Sequence, residues 1–173
     1  MQGSPCLQQS VAHNWYVAYT CSRHEKYLAK QCEQHGITAF LPLYAVQRQW
    51  KQRRAKVLLP LFPSYVFVRM ALADRFRVLA LPGMVSLVTF HGHPAVIPDA
   101  QIEALRKAVT LGRAEPCTYL QSGKRVRVTA GPLVGMEGII QEVKKSDVLI
   151  VSFEWMSRAV SISLDATEVE TLG

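Results

Sequence analysis

The chain has 173 residues, of which 49% are hydrophobic and 19% charged, enough apolar content to fold as one domain or two small ones. No apolar run reaches the roughly 18 residues that a transmembrane helix needs, which excludes a helical membrane protein. Residues 1–12 lack a positive n-region and an apolar core, so we interpret them as a disordered tail and not as a signal peptide.

The net charge of +7 is distributed unevenly along the chain. Residues 13–112 carry 13 Lys/Arg against 5 Asp/Glu, a balance of +8, whereas residues 113–173 carry 7 against 8, a balance of −1. This asymmetry predicts two modules with different partners. Clustered cations favour nucleic acid as the partner of the first module, and a solvated surface that only aids solubility is the alternative.

The segment Asn14–Thr20 has the period-two pattern of a strand with two different faces. One face holds Trp15, Val17 and Tyr19, and the other holds Tyr16 and Ala18.

The next segment has the pattern of a capped helix. Ser22 and Glu25 have the S-x-x-E spacing of a capping box, so Ser22 is predicted to cap a helix over about residues 23–35. Leu28 and Cys32 are four residues apart and should face inward. Gly36 follows the last turn, where a left-handed C-cap favours glycine.

Residues 37–70 read as extended chain around a cationic turn. The run Arg48–Lys56 has five Lys/Arg and no acid, which predicts a long hairpin with a charged tip. Pro60 and Pro63 bracket the connection into a strand over Tyr65–Met70. Phe62, Tyr65 and Phe67 are either core residues or an exposed protein-binding face, because helices on one side would bury only one face of this strand.

Further elements complete the first module. A short helix over Asp74–Leu81 should end at Pro82, a strand over Val85–Phe90 should follow, and Pro98 should precede a helix over Asp99–Leu111. This order predicts an α+β fold in which helices flank an antiparallel sheet over residues 13–111.

Residues 112–122 interrupt these patterns and are predicted to be a linker. From residue 123 onward, five short apolar runs with frequent turns predict a small five-stranded β-barrel over 123–173. The β-branched residues of these runs favour strands over helices.

The chain has no sequence signature of catalysis. It lacks G-x-S-x-G, H-E-x-x-H and a complete phosphate-binding loop, so we predict no enzymatic activity and no cofactor. His91 and His93 form an H-x-H pair without a visible third ligand, and none of the four cysteines forms C-x-x-C, so no metal site is predicted. We expect free thiols in a cytoplasmic protein.

Three passages resemble the NusG family of bacterial transcription elongation factors. They are Trp15–Val17 leading into Arg23–Lys26, Pro60–Val68 followed by Pro82–Val85, and the KOW-like passage Gly123–Gly138. The resemblance covers nearly all of residues 14–172. It implies an N-terminal (NGN) domain that binds RNA polymerase across the DNA channel, and an SH3-like KOW domain that recruits a further partner.

The resemblance also implies roles for individual residues. The residues implied to contact the polymerase clamp are Phe62, Pro63, Tyr65 and Phe67. Those implied to contact the opposite pincer are Arg75, Phe76 and Arg77. Those expected near the non-template DNA strand are Ser22, Arg23, His24 and Lys26, joined by Lys51, Arg53 and Arg54 of the cationic hairpin. Those implied at the KOW partner surface are Met136, Met156 and Arg158.

Pro60–Pro63 and the short connections are more similar to specialised paralogues of the RfaH, UpxY and LoaP types than to the housekeeping factor. The resemblance implies a monomer that suppresses pausing or termination, with Rho or a small-subunit ribosomal protein as the KOW partner. The competing hypothesis is a KOW-containing, ribosome-associated RNA-binding protein, against which the −1 balance of the second module argues. A DNA-binding regulator that does not contact the polymerase is a third hypothesis.

Overall fold

A computed structural model describes residues 12–50, 53–117, 124–130, 134–135, 137–143, 146–153, 158–163 and 169–171. The elements in chain order are β1 (His13–Thr20), α1 (Glu25–Gln34), β2 (Thr38–Phe40), β3 (Leu43–Trp50), β4 (Arg53–Pro60), β5 (Tyr65–Ala71), α2 (Arg75–Leu79), β6 (Met84–Leu87), β7 (Thr89–Phe90), β8 (His93–Pro94), β9 (Val96–Ile97), α3 (Asp99–Thr110), β10 (Ala114–Cys117), β11 (Lys124–Val128), β12 (Glu137–Val143), β13 (Ser146–Phe153), β14 (Arg158–Ser163) and β15 (Val169–Thr171).

The first sheet is antiparallel and has β1 and β5 at its centre. Its strand order is β2-β5-β1-β6, and β9 pairs with the opposite end of the β1 edge that β6 occupies. The register of the central pair runs from His13 opposite Ala71 to Tyr19 opposite Tyr65. The predicted α+β class is therefore confirmed, with the N-terminal strand in the middle of the sheet.

Both faces of this sheet are buried. Trp15 and Val17 of β1 pack in one cluster with Phe67 and with Ile102 and Leu105 of α3. The alternate β1 and β5 residues pack in a second cluster with α1 and α2; its members include Tyr16, Ala18, Val66, Val68, Leu28, Cys32 and Val78. The two faces predicted for β1 are confirmed, whereas the assumption that helices cover only one side of the sheet is wrong.

Helix α1 begins later than predicted and without a capping box. Arg23 has a φ of 64°, a left-handed conformation that cannot continue into a helix, so α1 starts at Glu25 with His24 as its N-cap. No side-chain hydrogen bond caps this end. The predicted Ser22 cap is therefore wrong, while Leu28 and Cys32 are buried and Gly36 has the expected positive φ of 70°.

The second sheet contains one strand more than predicted. Its order is β10-β14-β13-β12-β11-β15, and β11–β15 correspond to the five predicted strands. The extra strand β10 pairs with β14, from Ala114 opposite Ile162 to Cys117 opposite Ala159. Part of the predicted linker over residues 112–122 is thus an edge strand of this sheet. Pro116 has no backbone N–H to donate, and an edge strand tolerates that loss.

None of the helices in the described ranges is long and apolar enough to span a bilayer.

The two cysteines whose side chains are described differ in environment: Cys21 is exposed and Cys32 is fully buried. Burial raises the pKa of the Cys32 thiol from its ordinary value of 9.0 to about 11. Because the unfolded thiol ionises at the lower value, its contribution to stability is complete below about pH 9 and is lost as the pH rises toward 11.

At pH 8 we expect iodoacetamide to alkylate Cys21 and to spare Cys32, because the reactive thiolate is absent at Cys32 and the side chain is inaccessible. Mass spectrometry of the peptides measures this, with denatured protein as the control in which both react. Equal rates in the folded protein would contradict the burial of Cys32.

Candidate functional site

The turn between β4 and β5 separates buried from exposed aromatic side chains. Phe62 and Phe67 are 1% and 0% exposed and meet edge to face, with ring centroids 5.7 Å apart. The ring of Phe67 also stacks on Phe40 at 6.0 Å. These two residues were predicted as direct clamp contacts, and their burial contradicts this: they are core residues, because α3 covers the sheet face on which Phe67 lies.

Two ring-bearing residues at this turn, Pro63 and Tyr65, reach the surface. Pro63 is exposed and Tyr65 is partly buried. The Tyr65 ring lies against Tyr19, which is 40% exposed, with centroids 5.4 Å apart and planes tilted by 48°. Tyr19 and Tyr65, hereafter the aromatic pair, are cross-strand neighbours at the end of the central strands. The sequence analysis did not assign Tyr19 to the site. The available signal was its position at the end of the β1 face that also holds Trp15 and Val17.

Backbone contacts hold the turn against the start of α1. The Ser64 N–H donates to Oε1 of Glu25 at 2.7 Å, and the Ser64 carbonyl accepts from the Thr20 N–H at 2.8 Å. The Tyr65 N–H donates to the Phe62 carbonyl at 3.2 Å. The Cys21 N–H donates to the Gly83 carbonyl at 2.9 Å. The end of β1, the turn and the Pro82–Gly83 bend therefore meet at one end of the sheet.

The segment that leads into α1 is exposed and positively charged. Ser22, Arg23, His24 and Lys26, predicted to lie near nucleic acid, are all exposed. His24 packs closely on Gly83: a Cβ on this glycine would lie 3.2 Å from Cβ of His24. The Lys26 ammonium donates to the Leu58 carbonyl at 2.9 Å, so α1 contacts β4 directly.

The cationic hairpin predicted around residue 51 is confirmed as strands β3 and β4. Its register runs from Leu43 opposite Pro60 to Trp50 opposite Arg53. Arg48, Arg54 and Lys56 have exposed side chains. Lys51 and the side chain of Arg53 lie outside the described residues. Their contact with nucleic acid at the tip of the hairpin stays a prediction.

The α2 patch, defined as Arg75, Phe76 and Arg77, lies at the surface. Phe76 is 65% exposed, and the Arg75 guanidinium stands 4.3 Å above its ring, a cation–π arrangement. Arg77 forms an ion pair with Asp74, with Nη1 and Oδ1 3.8 Å apart. The three residues that the resemblance implies as contacts to the opposite pincer are thus adjacent and at the surface.

Of the residues predicted at the KOW partner surface, Met136 and Met156 lie outside the described residues. Arg158 is placed only by its backbone, which pairs with Phe153 at the start of β14. Elsewhere in the second sheet, Arg127 of β11 forms a cross-strand ion pair with Glu137 of β12.

Within the described ranges, no three metal-ligating side chains come together. His91 and Gly92 form the turn of the β7–β8 hairpin, with φ values of 50° and 80°, and His93 is the first residue of β8. The His91 ring packs on Phe90 with centroids 4.2 Å apart. The two histidines of the H-x-H pair are therefore elements of a tight hairpin.

Two family models match successive parts of the chain. A family model described as "Transcription termination factor nusG" matches residues 13–106, and one described as "KOW motif" matches residues 122–153.

Individual relatives extend over most of the chain. The "Transcription termination/antitermination protein NusG" of Rickettsia bellii (strain RML369-C) is 24% identical over 168 residues, covering 90% of this chain and 88% of the relative. The protein of the same name from Escherichia coli (strain K12) is 26% identical over 180 residues, covering 95% and 99%. The solved structure titled "Domain interaction in Thermotoga maritima NusG" has the same fold, with a TM-score of 0.53, 23% identity and coverage of 94% and 98%.

Proposed function

Because the chain belongs to the NusG family of transcription termination factors, we propose that it is an elongation and antitermination factor that binds RNA polymerase across the clamp and suppresses pausing or termination. It acts by binding and not by catalysis, and it works in the cytoplasm as a monomer. Its similarity over Pro60–Pro63 to specialised paralogues favours action on particular operons.

The observation that carries this proposal is the placement of two different surfaces at one end of the first sheet. The aromatic pair and Pro63 offer an exposed apolar contact, which suits a protein partner. The exposed basic residues Arg23, His24 and Lys26 at the start of α1, hereafter the α1 approach, lie beside it, because Glu25 and Thr20 bond to Ser64. Lys26 also bonds to the backbone of β4, the strand that carries the hairpin cations Arg54 and Lys56. Such a surface suits a phosphate backbone.

In this arrangement the aromatic pair and Pro63 contact the coiled coil of the clamp. The α2 patch contacts the opposite pincer, and Arg23, His24 and Lys26 face the non-template strand together with the hairpin cations. Phe62 and Phe67 contribute indirectly, since they support the turn from inside the core.

The proposed mechanism is a shift in a conformational equilibrium. A factor attached to both sides of the channel resists the clamp opening that accompanies pausing, and it shifts this equilibrium only by its differential affinity for the closed state. A preference of about 1.4 kcal/mol changes the ratio of paused to active complexes about tenfold.

We further propose that residues 13–111 form the polymerase-binding domain and that residues 123–173 form the KOW domain. Residues 112–122 connect the two, and part of this connection, β10, adds an edge strand to the second sheet. This second domain recruits Rho or a small-subunit ribosomal protein through the surface around Met136, Met156 and Arg158. We also propose that it keeps its strands in the full chain, which leaves the polymerase-binding surface open.

A transcription assay on a defined template tests the function. Elongation complexes halted at a pause site should escape faster when the full chain is added, and the Tyr19→Ala/Tyr65→Ala variant should lose most of this effect. Phe90→Ala, which removes a 48% exposed aromatic ring from the β7–β8 hairpin, is the matched control and should retain it. Unchanged pausing and termination at saturating protein would refute the proposal.

The proposed DNA contact predicts a change in salt dependence. Arg23→Ala/Arg54→Ala should reduce the slope of log affinity against log salt for elongation complexes by up to about two units, about one for each lost phosphate contact. Lys107→Ala/Arg125→Ala removes the same charge from exposed positions elsewhere and serves as the control. Equal slopes for both variants would mean that Arg23 and Arg54 are merely solvated.

A further inference from the structure

Glu25 is a buried carboxylate to which the proposed polymerase and DNA contacts give no role. It is 6% exposed. Among the described residues, Glu25 and Thr20 are the only polar or charged residues that are buried. Glu25 stands in the first turn of α1, where a negative charge is favoured by the helix dipole. Its Oε1 accepts the Ser64 N–H at 2.7 Å, a contact between residues 39 positions apart in sequence.

The partner of this carboxylate is itself unusual. Ser64 has a φ of 68°, a left-handed conformation that a residue with a Cβ adopts at an energetic cost and that persists only where its surroundings impose it. Its carbonyl is fixed by the Thr20 N–H at 2.8 Å and its N–H by Glu25. A hydrogen bond to an ionised acceptor is about twice as strong as a neutral one.

Ser64 also separates the exposed Pro63 from the partly buried Tyr65. Pro63 precedes it, and Tyr65, which packs on Tyr19, follows it. A change of φ at Ser64 would rotate Pro63 relative to the aromatic pair. The conformation of this one residue therefore sets the shape of the apolar contact surface.

We propose that Glu25 is a positioning residue: its carboxylate holds Ser64 in the left-handed conformation and so orients Pro63 and the aromatic pair for their protein partner. This inference rests on the proposed function for the identity of that partner. Glu25 directly follows the exposed Arg23 and His24 and precedes Lys26, which bonds to the Leu58 carbonyl. One helix start thus fixes the protein-facing turn and the nucleic-acid-facing segment relative to each other.

Four variants separate positioning from simple stability. Glu25→Ala removes the acceptor, Glu25→Gln keeps a neutral acceptor of the same shape, and Ser64→Gly removes the cost of the left-handed conformation. The fourth combines Glu25→Ala with Ser64→Gly. Glu33→Ala, which removes an exposed acid from the same helix, is the control for charge.

Affinity for core RNA polymerase is measured for each variant together with its melting temperature. We expect Glu25→Ala to raise Kd about tenfold and Glu25→Gln about threefold, because the neutral bond is weaker. Glu33→Ala should stay within about twofold of the parent protein. In the double variant Kd should return to within about twofold of Ser64→Gly, since glycine adopts a positive φ without the anchor.

A lower melting temperature for Glu25→Ala with unchanged Kd, or a loss of affinity that Ser64→Gly does not rescue, would overturn the inference. NMR of the free full chain gives a readout that does not depend on polymerase. Glu25→Ala should shift the Tyr65 backbone resonances and accelerate amide exchange at Ser64, whereas Glu33→Ala should do neither. If the parent protein fails to bind polymerase, the proposed function fails while these NMR measurements still decide the role of Glu25.

Discussion

Replacing Phe67 by alanine is expected to lower the free energy of unfolding of the first sheet by about 3–5 kcal/mol. The ring is fully buried and contacts Phe40 and Phe62 at centroid distances of 6.0 and 5.7 Å. Its loss leaves a cavity between β5 and α3 that neighbouring rings fill only in part. Native-state hydrogen exchange of the β5 amides, read by mass spectrometry, measures this free energy for the sheet itself.

Phe90→Ala is the control for this measurement, because it removes the same side chain from a position that is 48% exposed. It should change the exchange free energy by no more than about 0.5 kcal/mol. A Phe67→Ala variant as stable as the parent but unable to bind polymerase would contradict the core assignment and restore Phe67 as a direct contact.

The second large effect concerns the aromatic pair. Tyr19→Ala and Tyr65→Ala are each expected to weaken binding to core RNA polymerase by about 2 kcal/mol or more, roughly 30-fold in Kd, because exposed aromatic anchors dominate protein interfaces. The two effects should not add fully, since each ring supports the other. Titration of labelled polymerase with the variants measures both.

Tyr65→Phe separates ring packing from the hydroxyl group and should bind within about threefold of the parent if the ring is the anchor. Phe90→Ala should bind like the parent. Tyrosine variants that melt early but bind normally would place the pair in the core and move the protein-binding surface elsewhere.

Periodic patterns predicted the elements with one clearly buried stripe. In α3, Ile102 and Leu105 are buried, and the predicted range of Asp99–Leu111 differs from the observed Asp99–Thr110 by one residue. In β1 the alternation separated two apolar faces correctly. Such patterns report which side chains are apolar and how often they recur, and packing then follows from the period.

Features set by tertiary contacts were harder to predict. The S-x-x-E spacing suggested a cap at Ser22, but Arg23 is left-handed and the helix therefore begins after it. The side chain of the buried Glu25 accepts a hydrogen bond from the Ser64 N–H and does not form a capping box. The segment Ala114–Cys117 is a strand because it pairs with β14. Its own sequence gives no strand signal, since it lacks alternation and contains Pro116. Local patterns do not encode a partner that is 39 or more residues away.

The candidate site was only partly predictable for the same reason. The aromatic stretch drew attention to the correct turn, yet which rings are exposed depends on helices packed on both faces of the sheet. Phe62 and Phe67 therefore lie in the core, while Tyr19, more than 40 residues before Tyr65, completes the exposed surface. The exposed cations of the α1 approach were found from the sequence because charged side chains rarely become buried.

Site-specific photocrosslinking tests the polymerase contact most directly. A photoreactive phenylalanine analogue placed at Tyr65 in the full chain should crosslink to the coiled coil of the polymerase clamp in elongation complexes. The same analogue at Lys107, an exposed position on α3, should give little or no crosslink. Absence of a clamp crosslink from position 65 in complexes that contain the bound protein, or an equal crosslink from position 107, would contradict the proposed binding mode.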